Sequence, residues 1–540
     1  MTRRLLGFGA ALAAGLHLAA CGEGAGDAQI ERLESGVLFR NDGPELNTVD
    51  PHLANGTWTQ VVTADLFTGL MRLGPDGEPA PGLAESWTVS EDGRVWTFTL
   101  RPAQWSDGRS ITSQDVVYSL RRAVNPATAA VYVEVYGPVE NADAIMAGEA
   151  DPETLGVTAL DERTVEIRLD HPMAFLPDLL ADSRSAVVPR HVIEEHGQAW
   201  VQPENIVVSG AYTLVERTVN SQTVLARNPL FYDDANTCFD EVYNFPMTLP
   251  DTAARRARSG ELEIAAAVPA AMLDQVRDSL PGHVQITQPP ATFFLQPNAR
   301  IAPFNDARVR EALGISVDRV FAFEEVIPTG LSVVNALVPE TLSAPYPGAA
   351  VDWADEPLQI RRARAVSLLE EAGFGPDTPL RFEFAYPSGD VTNRVAPALQ
   401  SDWNSLADWV DVEIFGSESA VHYQNLGAAD FEVALGGWNA VIRDASYMLD
   451  VVKQDAAGNF VGWSDPQVER LLLAARDELD PQARIALLTE AEQIALDDFA
   501  ITPFYRPERA WIVHPRLTGW VGGAIEYTPS HMLCLRDADE

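Results

Sequence analysis

The chain has 540 residues, of which 46% are hydrophobic and 21% charged, and its formal charge is −40 at pH 7. A chain of this length is too long for a single hydrophobic core and indicates three or four domains, at roughly 150 residues each. The composition excludes a polytopic membrane protein and a disordered chain. The acidic charge argues against nucleic-acid binding, which needs a basic surface.

The N-terminus has the pattern of an export signal. Arg3 and Arg4 precede an apolar stretch over 5–20 that is short for a membrane span and ends in small residues before Cys21. This placement resembles a bacterial lipobox, in which the cysteine thiol is lipidated. We predict a signal peptide over 1–20, a lipid anchor on Cys21 and a tether over 21–35. The alternative is an ordinary signal peptide with an incidental Cys21.

The rest of the chain alternates strand and helix patterns. The first third reads mainly as strands joined by tight turns, with a helix after the capping segment 112–115. Strands are predicted at 94–100, 164–169, 222–227, 380–385, 410–414 and 431–435. Helices are predicted at 116–124, 308–315, 360–372, 396–406, 466–478 and 481–496. The strand–helix–strand order of the C-terminal half predicts an α/β fold class.

No motif marks an enzyme. The three cysteines and nine histidines form no CxxC pair, HExxH or other metal spacing, and no nucleophile elbow or Gly-rich phosphate loop is present. Lys453 is the only lysine, which argues against a serine–lysine nucleophile. We therefore predict a binding protein with no catalytic residues, no metal and no cofactor. For an oxidising compartment we predict a disulfide bond between Cys238 and Cys534, with two buried free thiols as the alternative.

A series of motifs resembles one family. In chain order these motifs are LNTVDP (46–51), DLFTGL (65–70), PGLAESW (81–87), WTFTLR (96–101), WSDG (105–108), DVVYSLRR (115–122), SGAYTL (209–214), RNP (227–229), PFNDARVR (303–310) and LLEEAG (368–373). The chain is similar, from about residue 36 to its C-terminus, to the oligopeptide-binding proteins of bacterial ABC importers. These are the cluster C extracellular solute-binding proteins of family 5.

The resemblance implies a bilobed, periplasmic-binding-protein type II fold of the α/β class, with an extra domain on the first lobe. By position, the main domain of the first lobe combines 36–60, 187–288 and 504–540. The extra domain covers 61–186, and the second lobe covers 289–503. On this map Cys238 and Cys534 both fall in the first lobe, which favours the disulfide bond.

The resemblance also implies a cleft in which an extended peptide pairs through its backbone with both lobes. The ligand-binding residues expected from the matching segments are Asn55, Thr57, Trp58, Gly437, Trp438, Asn439, Asp444, Tyr132 and Tyr505. For each tyrosine, core packing is an equal alternative.

One position departs from the family pattern. Val441 stands where peptide binders have an aspartate that holds the ligand's α-ammonium, and valine cannot balance a buried charge. Asp444 is expected to reach back into that role, or Arg443 to face an anionic ligand. As the alternative, both are solvated loop charges.

The expected function is to capture oligopeptides in the periplasm and deliver them to a permease with ATPase subunits. The protein is expected to be a monomer that binds no nucleic acid, held at the membrane by its lipid or soluble in the periplasm. The first alternative keeps the importer role with a ligand that lacks a free α-amine, such as a blocked or cyclic peptide, an oligosaccharide or an opine-like metabolite. A secreted hydrolase and a signalling receptor are two further hypotheses.

Overall fold

The computed structural model describes residues 24–327, 330–340, 342, 346, 348–522 and 527–536. The helices are α1 (Gly24–Glu34), α2 (Thr57–Leu66), α3 (Ser113–Val124), α4 (Ala142–Met146), α5 (Leu176–Ala181), α6 (Arg190–His196), α7 (Pro250–Arg258), α8 (Leu273–Ser279), α9 (Ala307–Ile315), α10 (Leu358–Glu371), α11 (Asp390–Asn404), α12 (Ser419–Gly427), α13 (Ala445–Met448), α14 (Pro466–Asp477) and α15 (Pro481–Asp497).

The strands are β1 (Val37–Asn41), β2 (Met71–Leu73), β3 (Pro79–Pro81), β4 (Ala84–Val89), β5 (Val95–Leu100), β6 (Val157–Ala159), β7 (Thr164–Arg168), β8 (Tyr212–Thr218), β9 (Gln222–Arg227), β10 (Glu241–Asn244), β11 (Ile264–Ala265), β12 (Val284–Thr287), β13 (Ala291–Pro297), β14 (Leu331–Val333), β15 (Leu380–Pro387), β16 (Val410–Ser417), β17 (Val433–Asn439), β18 (Thr502–Pro507), β19 (Arg509–Val513), β20 (Leu517–Thr518) and β21 (Cys534–Leu535).

Three sheets organise these elements. A seven-stranded sheet has the order β12-β19-β11-β1-β10-β9-β8, and we call the body built on it the first lobe. A six-stranded sheet has the order β14-β18-β13-β17-β15-β16 and forms the second lobe. The extra domain carries a four-stranded antiparallel sheet, β4-β5-β7-β6, and the β2–β3 hairpin. Each sheet packs its own cluster of buried apolar side chains, as the mixed α/β sequence pattern predicts.

Two predicted domain boundaries fall inside elements. The boundary at 503/504 cuts β18, whose residues pair with β13 and β14 in the second lobe. Sheet membership therefore puts the crossing at Glu508, between β18 and β19. The boundary at 60/61 cuts α2, whose Val62 and Leu66 are buried in the core of the first lobe. The order of motifs along the chain does not show which sheet an element joins. The sequence therefore could not predict that these two boundaries fall at other residues.

The predicted tether over 21–35 is wrong for most of its length. Residues 24–34 form α1, which docks on the first lobe through buried Leu33 and a hydrogen bond from Gln29 Nε2 to Leu262 O (2.8 Å). Arg32 Nε also donates to the buried Glu263 carboxylate (3.0 Å). The signal peptide and Cys21 lie outside the described residues. Within the described ranges, none of the helices combines the length and the apolar character needed to cross a membrane.

The C-terminal segment is tied back to the first lobe. Cys238 and Cys534 are joined by a disulfide bond with a Cα–Cα distance of 5.2 Å, within the usual range for such bonds. Buried Asp65 accepts hydrogen bonds from the backbone N–H groups of Ser530 and His531 (3.1 Å each). Residues 530–534 are therefore anchored beside α2, the helix that borders the cleft between the lobes.

Candidate functional site

A cavity of about 240 Å³ lies between the two lobes. Its wall combines the start of α2, the extra domain and the loop that follows β17. Residues distant in sequence meet here: Gly56, Thr57, Trp58, Gln60, Leu73, Gly77, Pro79, Tyr132, Asp178, Ala181, Asp182, Arg184, Pro290, Asn439, Ala440, Val441, Ile442, Arg443, Arg509 and Tyr527. Of the residues expected from the sequence, the cavity wall includes Thr57, Trp58, Tyr132 and Asn439.

The first-lobe edge depends on a glycine. Gly56 has a φ of +86°, a conformation that residues with side chains rarely adopt. A Cβ atom there would lie 2.6 Å from the indole of Trp58, so the absence of a side chain lets the indole lie against the backbone. The buried Nε1 of Trp58 has no hydrogen-bond partner among the described residues. The N-terminal turn of α2 therefore presents Thr57 and an aromatic surface to the cavity.

The second-lobe edge is a strand with one side open. β17 pairs with β13 along its whole length, but its pairing with β15 is confined to Val433 and Ala434. Among the described residues, the backbone from Gly436 to Asn439 has no strand partner on that other side. An unpaired strand edge is the feature that binds an extended peptide by β-augmentation.

Two glycines keep this strand close to its neighbour. A Cβ atom on Gly437 would lie 2.7 Å from the ring of Phe293, and one on Gly436 would lie 2.5 Å from Gln296 Oε1. Both side chains belong to β13. The glycines thus fit a tight β13–β17 contact that positions Asn439 at the cavity.

Trp438 points into the second lobe. Its Nε1 donates to the carbonyl of Tyr447 (2.8 Å), and its ring packs over Gly458. Successive side chains of a strand point to opposite faces, so Asn439 reaches the cavity wall and Trp438 packs inside. Trp438 does not line the cavity, and its contact with a ligand stays a prediction from the sequence.

Three other expected residues also lie elsewhere. Asp444 is buried, and its two carboxylate oxygens each accept a hydrogen bond from Arg484 at 2.8 Å. With its oxygens engaged in this pair, Asp444 does not have the position of an ammonium partner. Tyr505 is buried in the second-lobe core and stacks on Phe293 with ring centroids 4.8 Å apart. Asn55 is exposed beside the cavity-lining Gly56.

Most charged groups of the cavity wall are paired. Arg184 binds Asp182 through Nε (2.8 Å) and Nη2 (2.6 Å). Arg443 donates to Glu78 Oε1 (2.6 Å) and to the carbonyl of Gly77. Because Arg443 belongs to the second lobe and Gly77 and Glu78 to the β2–β3 hairpin, these contacts join the second lobe to the extra domain. Arg443 is therefore held by the protein itself.

Asp178 differs from its charged neighbours. It is half-buried, and apart from its own backbone N–H its carboxylate has no hydrogen-bond or ion-pair partner among the described residues. Burial raises its pKa to about 7, the Arg443 guanidinium acts in the opposite direction, and the Glu78 and Asp444 carboxylates add to the increase. A cavity carboxylate with a raised pKa and no ion-pair partner is a candidate for binding a cationic group of a ligand.

Tyr132 forms an aromatic side of the cavity. It has a φ of +55°, which is uncommon for a bulky residue and occurs preferentially at functional sites. The Arg184 guanidinium lies over its ring, 4.5 Å from the centroid. Tyr132, Arg184 and Asp182 therefore form one polar–aromatic wall.

Sequence reasoning missed six cavity residues that carry polar or charged groups: Gln60, Asp178, Asp182, Arg184, Arg509 and Tyr527. None of them belongs to a motif that carried the resemblance, and they reach the cavity from four separate parts of the chain: α2, residues 178–184, the start of β19 and the C-terminal segment. Among the described residues, no three His, Cys, Asp or Glu side chains come together in an arrangement able to hold a metal ion.

Comparisons with known proteins agree with this architecture. The family model of bacterial extracellular solute-binding proteins, family 5 Middle, matches residues 78–460. The periplasmic oligopeptide-binding protein OppA of Salmonella typhimurium is 34% identical over 504 residues, which cover 92% of this chain and 91% of that protein.

Two solved structures bear on the arrangement of the lobes. The unliganded open form of MppA, a periplasmic murein tripeptide binding protein, has a TM-score of 0.84 at 30% identity and covers 94% of this chain and 99% of its own. The Haemophilus influenzae OppA complex with RPPGFSPFR has a TM-score of 0.75 at 29% identity and covers 93% and 99%. At nearly equal identity the higher score belongs to the open form, so the lobes are arranged more like that unliganded structure.

Proposed function

The chain belongs to the bacterial extracellular solute-binding proteins of family 5, and we propose that it captures oligopeptides between its lobes for an ABC importer. The observation that carries this proposal is the open edge of β17, whose last residue, Asn439, lines a cavity that is bordered on the other side by the start of α2. An extended peptide satisfies such an edge with backbone hydrogen bonds, which give affinity without a strict side-chain preference.

The relatives support a peptide ligand. OppA of Salmonella typhimurium is described as oligopeptide-binding, and the H. influenzae OppA structure holds a nine-residue peptide. This chain is similar to both over more than nine-tenths of its length. The family consists of solute-binding proteins, so this protein is a receptor and not an enzyme.

Delivery depends on the lobes closing over the ligand. The open arrangement, with the chain crossing between lobes near residue 288 and again at Glu508, suits a hinge that absorbs a rigid-body rotation. The closed form of the protein would then present the peptide to a permease with ATPase subunits, acting as a monomer.

The proposed location is the periplasm. The relatives named OppA in Salmonella and Escherichia coli are periplasmic proteins, and the N-terminal sequence has the pattern of an export signal. Attachment to the membrane through lipid on Cys21 rests on that sequence pattern alone.

The ligand can be identified directly. Native mass spectrometry of the protein as purified, followed by release and sequencing of the bound species, should yield a mixture of short peptides. A single sugar, opine or other non-peptide metabolite would overturn the proposal. A mixture composed only of N-terminally blocked or cyclic peptides would support the alternative ligand class that Val441 suggested.

A further inference from the structure

With valine at position 441, the second-lobe residues described along the cavity wall include no acidic side chain. Val441 and Ile442 line the cavity, and both pack against the apolar core of the extra domain. The next residue, Arg443, is paired with Glu78, and Asp444 is paired with Arg484. A peptide with a free N-terminus therefore finds no available carboxylate on this loop, although a buried ammonium needs one.

The first lobe supplies a carboxylate beside the same position. Asp178, on α5 of the extra domain, lines the main cavity together with Val441. The two residues also line a smaller adjoining cavity. Asp178 and Val441 thus stand on opposite lobes and border the same space.

The distribution of ion pairs singles out Asp178. Asp182 is held by Arg184, and the guanidinium of Arg443 is engaged by Glu78 and the Gly77 carbonyl. Asp178 has no such recorded partner among the described residues, although it is half-buried. A half-buried carboxylate without an ion-pair partner has lost part of its hydration, and a cation placed beside it offsets that loss.

We infer that Asp178 binds the α-ammonium of the peptide ligand, so that the acidic partner missing at Val441 is supplied by the extra domain of the opposite lobe. This assignment rests on the proposed function. The ligand's N-terminus is then anchored to the first lobe, while its backbone pairs with β17 of the second lobe. Both lobes hold the same end of the peptide, which favours the closed arrangement.

The assignment makes binding sensitive to pH. The pKa of Asp178 lies at about 7 in the free protein, and only the ionised carboxylate pairs with an ammonium. Affinity for a free-amine peptide should therefore fall about fourfold between pH 8 and pH 6, because the peptide's own α-amine is already partly deprotonated at pH 8. The other ionisable groups facing this space are His52, Glu78, Tyr132, Tyr136, Asp182, Arg184, Arg443, Asp444, Arg509 and Tyr527. His52 has a pKa lowered to about 4 by burial and by Arg122, so it does not titrate in this window.

The test uses a randomised pool of tri- to pentapeptides and the same pool after N-acetylation. Apparent affinities are measured by native mass spectrometry on ligand-free full-length protein, for the wild type and for Asp178→Asn. The exposed Glu149, also in the extra domain, provides a control with the same change of charge, Glu149→Gln. The double variant Asp178→Asn/Val441→Asp returns a carboxylate to the second lobe.

Asp178→Asn should weaken binding of the free-amine pool by about tenfold to a hundredfold and change binding of the acetylated pool by less than twofold. It should also abolish the decrease between pH 8 and pH 6. Glu149→Gln should bind like the wild type, and the double variant should regain most of the free-amine affinity. Equal losses for both pools, or no loss for the free-amine pool, would overturn the assignment. If the wild type bound neither pool, the proposed function would itself fail, and the assignment with it.

Discussion

The disulfide bond between Cys238 and Cys534 offers a quantitative test of how the C-terminal segment is held. The bond closes a loop with a sequence separation of 296 residues. In the chain-entropy description a crosslink of this span restricts the unfolded state by about 5.7 kcal/mol at 25 °C, whereas measured losses from removing native disulfides are about 2–5 kcal/mol. We therefore expect Cys238→Ser/Cys534→Ser to lower the free energy of unfolding by about 3–5 kcal/mol.

The folded state should survive this change. The segment next to Cys534 is also held by Arg40, which donates to Ser530 Oγ (2.8 Å) and Thr528 O (2.9 Å), and by the contacts of Asp65. Leu533 is fully buried in the first-lobe core. The loss should therefore appear in the unfolding equilibrium, with little change in the native spectrum or in ligand affinity.

The assay is urea denaturation followed by tryptophan fluorescence, which reports on both lobes. If the lobes unfold separately, the transition of the first lobe should shift more, because both cysteines lie there. Wild-type protein treated with reductant should match the double variant, and a thiol count on unreduced, unfolded protein should find neither cysteine free. An unchanged midpoint in the variant, together with such a thiol count, would refute the entropic reasoning.

Three further outcomes are expected. Trp58→Ala should weaken peptide binding by at least tenfold in a calorimetric titration, because Trp58 lines the cavity. Trp438→Ala should mainly lower the melting temperature, because its indole packs inside the second lobe. The reverse order of effects would contradict the placement of these two rings. The pKa of buried His52 is lowered to about 4, so between pH 6.5 and pH 4 the unfolded chain binds more protons than the folded protein. The free energy of unfolding should therefore decrease by up to about 3 kcal/mol as the pH falls through that range. In denaturation experiments at several pH values, His52→Gln should reduce this decrease. Buried Glu492 accepts three backbone N–H bonds and one tyrosine hydroxyl bond, so Glu492→Leu should destabilise the second lobe by about 3 kcal/mol or more in urea unfolding. Glu490→Leu, at an exposed position of the same helix, should cost less than about 0.5 kcal/mol.

The sequence by itself determined the family, the α/β class and most of the regular elements. The predicted helices beginning at Pro466 and Pro481 begin there in the structure, because proline at the first helical position and aspartate before it are local signals. The alternation over 380–385 and 410–414 likewise predicted β15 and β16, which extend to residues 387 and 417. These features depend on contacts among near neighbours, which a single stretch of sequence encodes.

The tertiary structure alone decided which polar groups share the cavity. Asp444 is close in sequence to the expected ammonium site, yet its pairing with Arg484 of α15 holds it elsewhere. Asp178 is 263 positions away from Val441 and belongs to no motif, yet the packing of the lobes brings both to one cavity. Charge balance in a cleft depends on contacts between distant segments, and no periodicity or spacing along the chain records them.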